Sequence, residues 1–155
     1  MENLIVEIIK VDETVLYGIW KNSNDKTISK DINSLSNEYH VVVSLPEKGV
    51  LPYFVLSKNY SKETKNFELL IGSTLEKAGL ERHVLISGEY AKITIKPKLG
   101  FLWGVAIGEA KRFFYEKWLP ASQYQGLNME YEFHTEKSEG RHPTIDIIFA
   151  IKKND

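Results

Sequence analysis

Hydrophobic and polar positions alternate in short runs along most of the chain, and twice the period lengthens to that of a helix. Ile5–Val11 and Val15–Lys21 predict two short strands, with Asp12 and Glu13 as the turn between them. A polar loop, Asn22–Lys26, follows. Thr27 then stands as an N-cap, and apolar residues fall at Ile28, Ile32, Leu35, Tyr39, Val42 and Val43, the steps of one helical face. Pro46 stops this helix and Glu47–Gly49 makes a turn, although the Val41–Val43 run also has strand propensity. Tyr53–Asn59 and Phe67–Thr74 predict strands joined by the polar Ser61–Lys65. Glu76–Arg82 is a charged loop around Gly79. Val84–Lys96 is a long strand with a bulge or bend at Ser87-Gly88, beyond which Ala91, Ile93 and Ile95 alternate with Tyr90, Lys92, Thr94 and Lys96. Pro97 and Gly100 break that strand. A second helix carries Trp103, Ile107, Ala110, Phe114 and Trp118 on one stripe and ends at Leu119-Pro120. Tyr131–Glu136 and Thr144–Lys152 form a last hairpin around Lys137–Pro143.

The order strand, strand, helix, strand, strand occurs twice, with no repeat of sequence. Two such units predict an α+β fold, an antiparallel sheet with both helices on one face. The opposite face is then half-polar: Tyr90, Lys92 and Thr94, Glu132 and His134, Asp146 and Ile148. Such a face either meets water or, if curved, cradles a ligand; the pattern alone points to water. The 155 residues suit one domain, residues 1–155, large enough to bury a core. A net charge of −1 supplies no global field for nucleic acid or an anionic membrane. The absence of cysteine excludes disulfides, thiolate nucleophiles and cysteine zinc sites. His40, His83, His134 and His142 lack metal-site spacing, so neither metal nor cofactor is expected. No glycine-rich phosphate loop and no nucleophile elbow is present, and no helix-turn-helix segment precedes the first strand. The chain opens without the basic start of a signal peptide, which predicts a cytoplasmic protein.

Several stretches, in order over residues 66–151, resemble the GyrI-like (effector-binding) superfamily. Ile86–Ala91 matches its aliphatic-x-Gly-x-Tyr-Ala strand. Tyr115–Tyr124, with Trp118-Leu119-Pro120 and Ser122, is similar to its Trp-Leu-Pro-x-Ser-x-Tyr stretch. Tyr131-Glu132-Phe133-His134 sits where the family carries Phe-Glu-x-Tyr, and Thr144–Ile151 resembles its closing strand. Asn66–Gly72 is a weaker match to a further strand, and the first 60 residues match only in strand–helix pattern. The resemblance implies two βαββ units forming a curved antiparallel sheet, with a cleft between the units that binds small molecules, often aromatic and cationic. It also implies a stand-alone member, with no DNA-binding domain and no direct contact with nucleic acid. The family includes drug-sensing regulators, hydrolases of strained electrophilic toxins and gyrase-modulating proteins, so a hydrolase and a protein-interaction module are the alternatives to a binding domain.

On that resemblance Glu132 matches the family's central pocket glutamate. A carboxylate in an aromatic cleft can pair with a ligand cation, or serve as the acid–base group if the protein is an enzyme. Its ordinary role would be a solvent-facing strand residue, with Glu130 and Glu136 on the same face. Tyr90 matches a family tyrosine that can orient a ligand or Glu132. His134, two residues from Glu132, stands in place of a family tyrosine, as does Ile148 in the last strand; both are expected at the ligand. Trp118 belongs to the apolar stripe of its helix, with pocket-edge contact as the second reading.

Overall fold

The computed structural model describes residues 4–44, 52–99 and 103–155. Eight strands form one antiparallel sheet: β1 (Glu7–Val11), β2 (Thr14–Asn24), β3 (Tyr53–Lys58), β4 (Asn66–Ser73), β5 (Glu81–Leu85), β6 (Gly88–Ile95), β7 (Tyr124–His134) and β8 (Ile145–Lys153). Their order across the sheet is β1-β6-β8-β7-β3-β4-β2-β5. Helix α1 (Ile28–Val43) follows β2. Helix α2 (Trp103–Phe113) follows β6 and runs on through a wide turn at Phe114–Trp118 to Ala121. Exchanging each element of the first half for its counterpart in the second reverses the strand order without changing it, so the two halves are related by a pseudo-twofold.

Two boundaries differ from the sequence pattern for one physical reason. Asp12-Glu13 closes no hairpin, because β1 pairs with β6 while β2 pairs with β4 and β5. Likewise the predicted single strand Val84–Lys96 is two strands: β5 joins β2, and β6 joins β1 and β8. Each half thus sends its first strand to the sheet edge of the other half. Alternation within a strand reports which side faces a core; it carries no information about which strand lies alongside. β2 also runs through the polar Asn22–Asn24, because Ser23 and Asn24 pair with Phe67 and Asn66 of β4. β7 starts at Tyr124, seven residues earlier than predicted, and its register shifts between Gly126 and Glu130, where Asn128 takes a left-handed φ of 56°. That irregularity erases the period-two signal.

Helix α1 forms as its apolar spacing predicts and buries Leu35, Tyr39 and Val43 against Val55, Phe67, Leu69 and Ile71. Val41–Val43 are helical, and Ser44 closes the helix in a left-handed conformation, its N–H donating to His40 O. The predicted Pro46 stop and Glu47–Gly49 turn lie outside the described residues. Thr27 occupies the N-cap, yet its hydroxyl donates to the Asp31 carboxylate at 2.7 Å rather than capping a backbone N–H. The stripe of α2 buries Ala110 and Phe114 against Ile93, Ile147 and Phe149, with Ile107 half-buried. Phe114 stacks on Phe149 at 3.8 Å between ring centroids.

The face away from the helices is polar only in part: Lys92, Thr94 and Asp146 lie on it, with Thr94 exposed, but its middle is apolar and closed. Leu16, Leu56, Leu70 and Leu85 there are essentially without exposure, and Tyr90, Tyr131 and Ile148 are buried with them. No described helix contributes to this cluster; the sheet curls into a half-barrel, and its residues cover one another. Gly18 and Gly72 sit opposite each other in β2 and β4. A Cβ on Gly18 would lie 2.3 Å from Ile71 O, and one on Gly72 2.4 Å from Tyr17 O. Both obstacles are backbone, so a methyl group at either position forces the strands apart.

Gly72→Ala is therefore expected to cost about 1–3 kcal/mol, the usual penalty for overpacking. Gly108→Ala, on an open helix surface, should instead raise stability by up to about 1 kcal/mol through helix propensity. Urea unfolding of the two variants checks the contrast.

Candidate functional site

Two acids among the described residues have buried side chains, Asp31 and Glu132. They differ in how their charge is satisfied. Asp31 accepts hydrogen bonds from Thr27 Oγ1 and Ser23 Oγ at 2.7 Å each, and Lys21 Nζ lies 3.2 Å from its second oxygen. The Thr27 and Ser23 bonds, opposed by burial and aided by Lys21, hold its carboxyl below the ordinary range. Asp31 is a structural acid, tying the start of α1 to β2. Glu132 has no comparable set of partners.

Glu132 owes its burial to strand register. It stands opposite Val55 of β3 and Ile147 of β8. Val55 in turn pairs with Ile71, Ile71 with Ile19, and Ile147 with Ile93. A single cross-strand row thus runs Ile19, Ile71, Val55, Glu132, Ile147, Ile93, aliphatic except for one carboxylate. Val55 belongs to the core beneath α1 and Ile147 to the core beneath α2. Glu132 therefore lies on the helix face, at the seam between the two cores, and is 7% exposed.

The same alternation places Glu130 and His134 beside it and sends Tyr131 and Phe133 to the other face. Glu130 Oε1 is 3.3 Å from Lys111 Nζ of α2, and its other oxygen accepts a hydrogen bond from the Tyr115 hydroxyl. Glu130 is thereby fully matched. Glu132 Oε1 has His134 Nε2 at 3.3 Å, an imidazole that carries charge only when protonated. Tyr53 of β3 stacks flat on His134, 4.4 Å between centroids. Burial, then the charges of Glu132 and Glu139, push the Tyr53 phenol up to about 12. Burial and Glu130 raise Tyr115 as well. Burial works to lower Lys111, but Glu130 and Glu132 outweigh it and the ammonium is held above its ordinary value. Two carboxylates in the seam share one permanent cation.

The structure brings together only part of the predicted set. Glu132 and His134 are neighbours. Tyr90 and Ile148 are not: Ile148 pairs with Tyr131, which puts it on the face opposite Glu132, and Tyr90 lies on that same face. The Tyr90 hydroxyl donates to Ile86 O at 2.6 Å and does not reach Glu132. The expected grouping of Glu132 and His134 with Tyr90 and Ile148 on one face is thus corrected by register. Trp118 stacks on Phe114 at 5.3 Å and on Tyr124 at 6.0 Å, within the packing of the wide turn. Lys111, Tyr115 and Tyr53 were absent from the expected site. Lys111 and Tyr115 are four residues apart on one helical flank, a signal that was present; the position of Tyr53 depends wholly on its pairing with His134.

A shallow hollow of about 400 Å³ opens elsewhere, among Asn22, Asn24, Asn59, Asn66 and Glu68. Its amides largely serve one another: Asn24 Nδ2 donates to Asn66 Oδ1 at 2.8 Å and to Thr64 O at 3.1 Å, and Asn59 donates to Glu68. Open volume and buried charge lie in different places. The charge is the better marker of a site, since an amide already partnered gains little from a ligand, whereas an undermatched carboxylate gains much. Among the described residues no group of three or more His, Asp or Glu is placed to hold a metal. No described helix is long and apolar enough to cross a membrane.

The Tyr53 shift has a consequence for stability. Unfolded, the phenol ionises near pH 10; folded, it keeps its proton to about 12. Its contribution is whole below pH 10 and is lost as pH rises towards 12, because only the unfolded chain gives up the proton in that window. Tyr53→Phe should make the fall in urea midpoint between about pH 9 and about pH 11 less steep than in the parent protein.

No protein-family model matches the chain, and no curated protein matches it in sequence. Solved structures do match. The integron cassette protein VCH_CASS2 from the mobile metagenome of Vibrio cholerae superposes with a TM-score of 0.66 at 16% identity, over 97% of this chain and 100% of that one. SAV2435 bound to tetraphenylphosphonium gives 0.68 at 12% identity, over 96% and 94%. The EcmrR C-terminal domain gives 0.61 at 13%, over 97% and 98%. Identities this low concern the fold alone, and on that ground, with the curled antiparallel sheet, the two helices on one face and the pseudo-twofold, the chain shares the α+β fold of these structures.

Proposed function

We propose that the protein binds an aromatic, lipophilic cation in the seam between its two halves, with Glu132 as the counter-charge. The observation that carries this is the aliphatic cross-strand row with Glu132 as its one polar member. A carboxylate placed there with a histidine as its one partner within 4 Å among the described residues costs roughly 1–3 kcal/mol of stability. A strand can avoid that cost with any aliphatic residue, so a carboxylate at this position is explained by what it binds. The surroundings suit the ligand class. Tyr53 and His134 present stacked rings at one side of the acid, Tyr115 stands at the other, and aliphatic side chains line the row between. Low local polarity strengthens a charge–charge contact, and rings attract the face of a flat cation. A protein of the same fold, SAV2435, has been solved bound to tetraphenylphosphonium, a lipophilic cation. That supports the ligand class without fixing its identity.

Glu132→Gln keeps the shape of the side chain and deletes its charge. Binding of N-methylacridinium is expected to weaken by about 1–3 kcal/mol, the range for a charge-assisted contact. Binding of acridine, at a pH where it is neutral, should change little. Calorimetry with this pair measures both. Equal effects on the two ligands, or no effect on either, would remove Glu132 from the site.

A further inference from the structure

We infer that Lys111 is a specificity-determining residue of the seam, limiting its ligand to a single positive charge. This rests on the reading of Glu132 as the counter-charge. Glu130 and Glu132 project from the same face of β7 two residues apart, which separates their carboxylates by about 7 Å along the strand. The seam therefore has the acids for a dication with charges at that spacing. Lys111 occupies one of the two places. Its ammonium reaches down from α2, lies 3.3 Å from Glu130 Oε1 and is 22% exposed, while Glu130 is 15% exposed and takes the Tyr115 hydroxyl on its other oxygen. Lys111 thus stands where the second charge of a dication would stand. A tethered ammonium pairs intramolecularly, at an effective concentration beside its acid that a free ligand must compete with. What remains is the one negative charge of Glu132, with His134 as its only neighbour within 4 Å, among the described residues, that can carry a positive charge. Glu139, near enough to raise Tyr53, is exposed and screened by solvent.

A monocation completes this arrangement. A dication overfills it: its second charge meets Lys111 in a partly desolvated seam, and like charges there disfavour binding. Replacing Lys111 by a neutral side chain of similar length leaves two unmatched acids and reverses the preference.

The probes are para-methylbenzylammonium and para-xylylenediammonium, which share one ring and differ by one charge. Wild type should favour the monocation. In Lys111→Met the dication should gain about tenfold or more relative to the monocation. Glu130→Gln works in the opposite sense: it releases Lys111 to pair with Glu132 and should weaken the monocation about tenfold. In the Glu130→Gln/Lys111→Met protein the dication gain should vanish; replacing both members of a buried pair is tolerated better than removing one, so this variant also controls for folding. If wild type binds the monocation but the ratio is unmoved in Lys111→Met, Lys111 sets no charge limit and the Glu132 reading stands alone. If Lys111→Met fails to fold, an unchanged monocation affinity in Glu130→Gln overturns the inference. If wild type binds neither probe and no acridinium, both readings fall.

Discussion

The pairing of β3 with β7 joins the two halves at the middle of the sheet, and the remaining features of the site follow from it. Because side chains alternate strictly, the register of this one ladder decides which residues of β7 look towards the helices. Set as it is, Tyr131 enters the half-barrel interior and Glu130, Glu132 and His134 enter the seam. A slip by one residue would bury Tyr131 and Phe133 beneath the helices and drive three polar groups into the interior of the half-barrel. The aliphatic partners on both sides, Val55 and Ile147, hold the register, since each is committed to a helix-covered core. The carboxylate is thus fixed in place by the hydrophobic packing of its neighbours, with no direct contribution of its own.

That arrangement separates stability from binding. The cores beneath α1 and α2 and the self-covering interior of the half-barrel need nothing from Glu132. The seam between them holds Glu132, the described buried acid that lacks hydroxyl and ammonium partners of its own, and it stands on a strand rather than on a loop. A rigid support of this kind keeps the acid from swinging out to water. Asp31 shows the contrast: where an acid serves the fold, the chain surrounds it with two hydroxyls and an ammonium.

Much of this is legible in the sequence. The helical spacing of Ile28 to Val43 and of Trp103 to Trp118 placed both helices, and the repeated order of elements gave the α+β architecture. The identity of Glu132 came from the motif around it, because nothing in the composition of Tyr131–His134 distinguishes a pocket acid from an exposed one. What escaped was everything that depends on which strand lies beside which. Glu132 is expected with Tyr90 and Ile148 because all three fall at pocket positions of the resemblance and on what reads as one half-polar face of alternating strands. Counting alternation within each strand leaves the phase between strands free, and here that phase puts them on opposite sides. Tyr53 became visible only through its partner across the ladder, and Lys111 only once α2 was laid over Glu130.

The exchanged edge strands bear on how the chain reaches this state. β1 finds its partner some eighty residues downstream in β6, while β5 reaches back to β2, and β3 must wait for β7. Neither half can complete its own hydrogen-bonded ladder, so a half made alone presents raw edges and an uncovered seam. Folding should accordingly be a late, all-or-none event with a high average contact separation, slow for a chain of this size, and during synthesis the first half must be kept from pairing with strangers until the second has emerged.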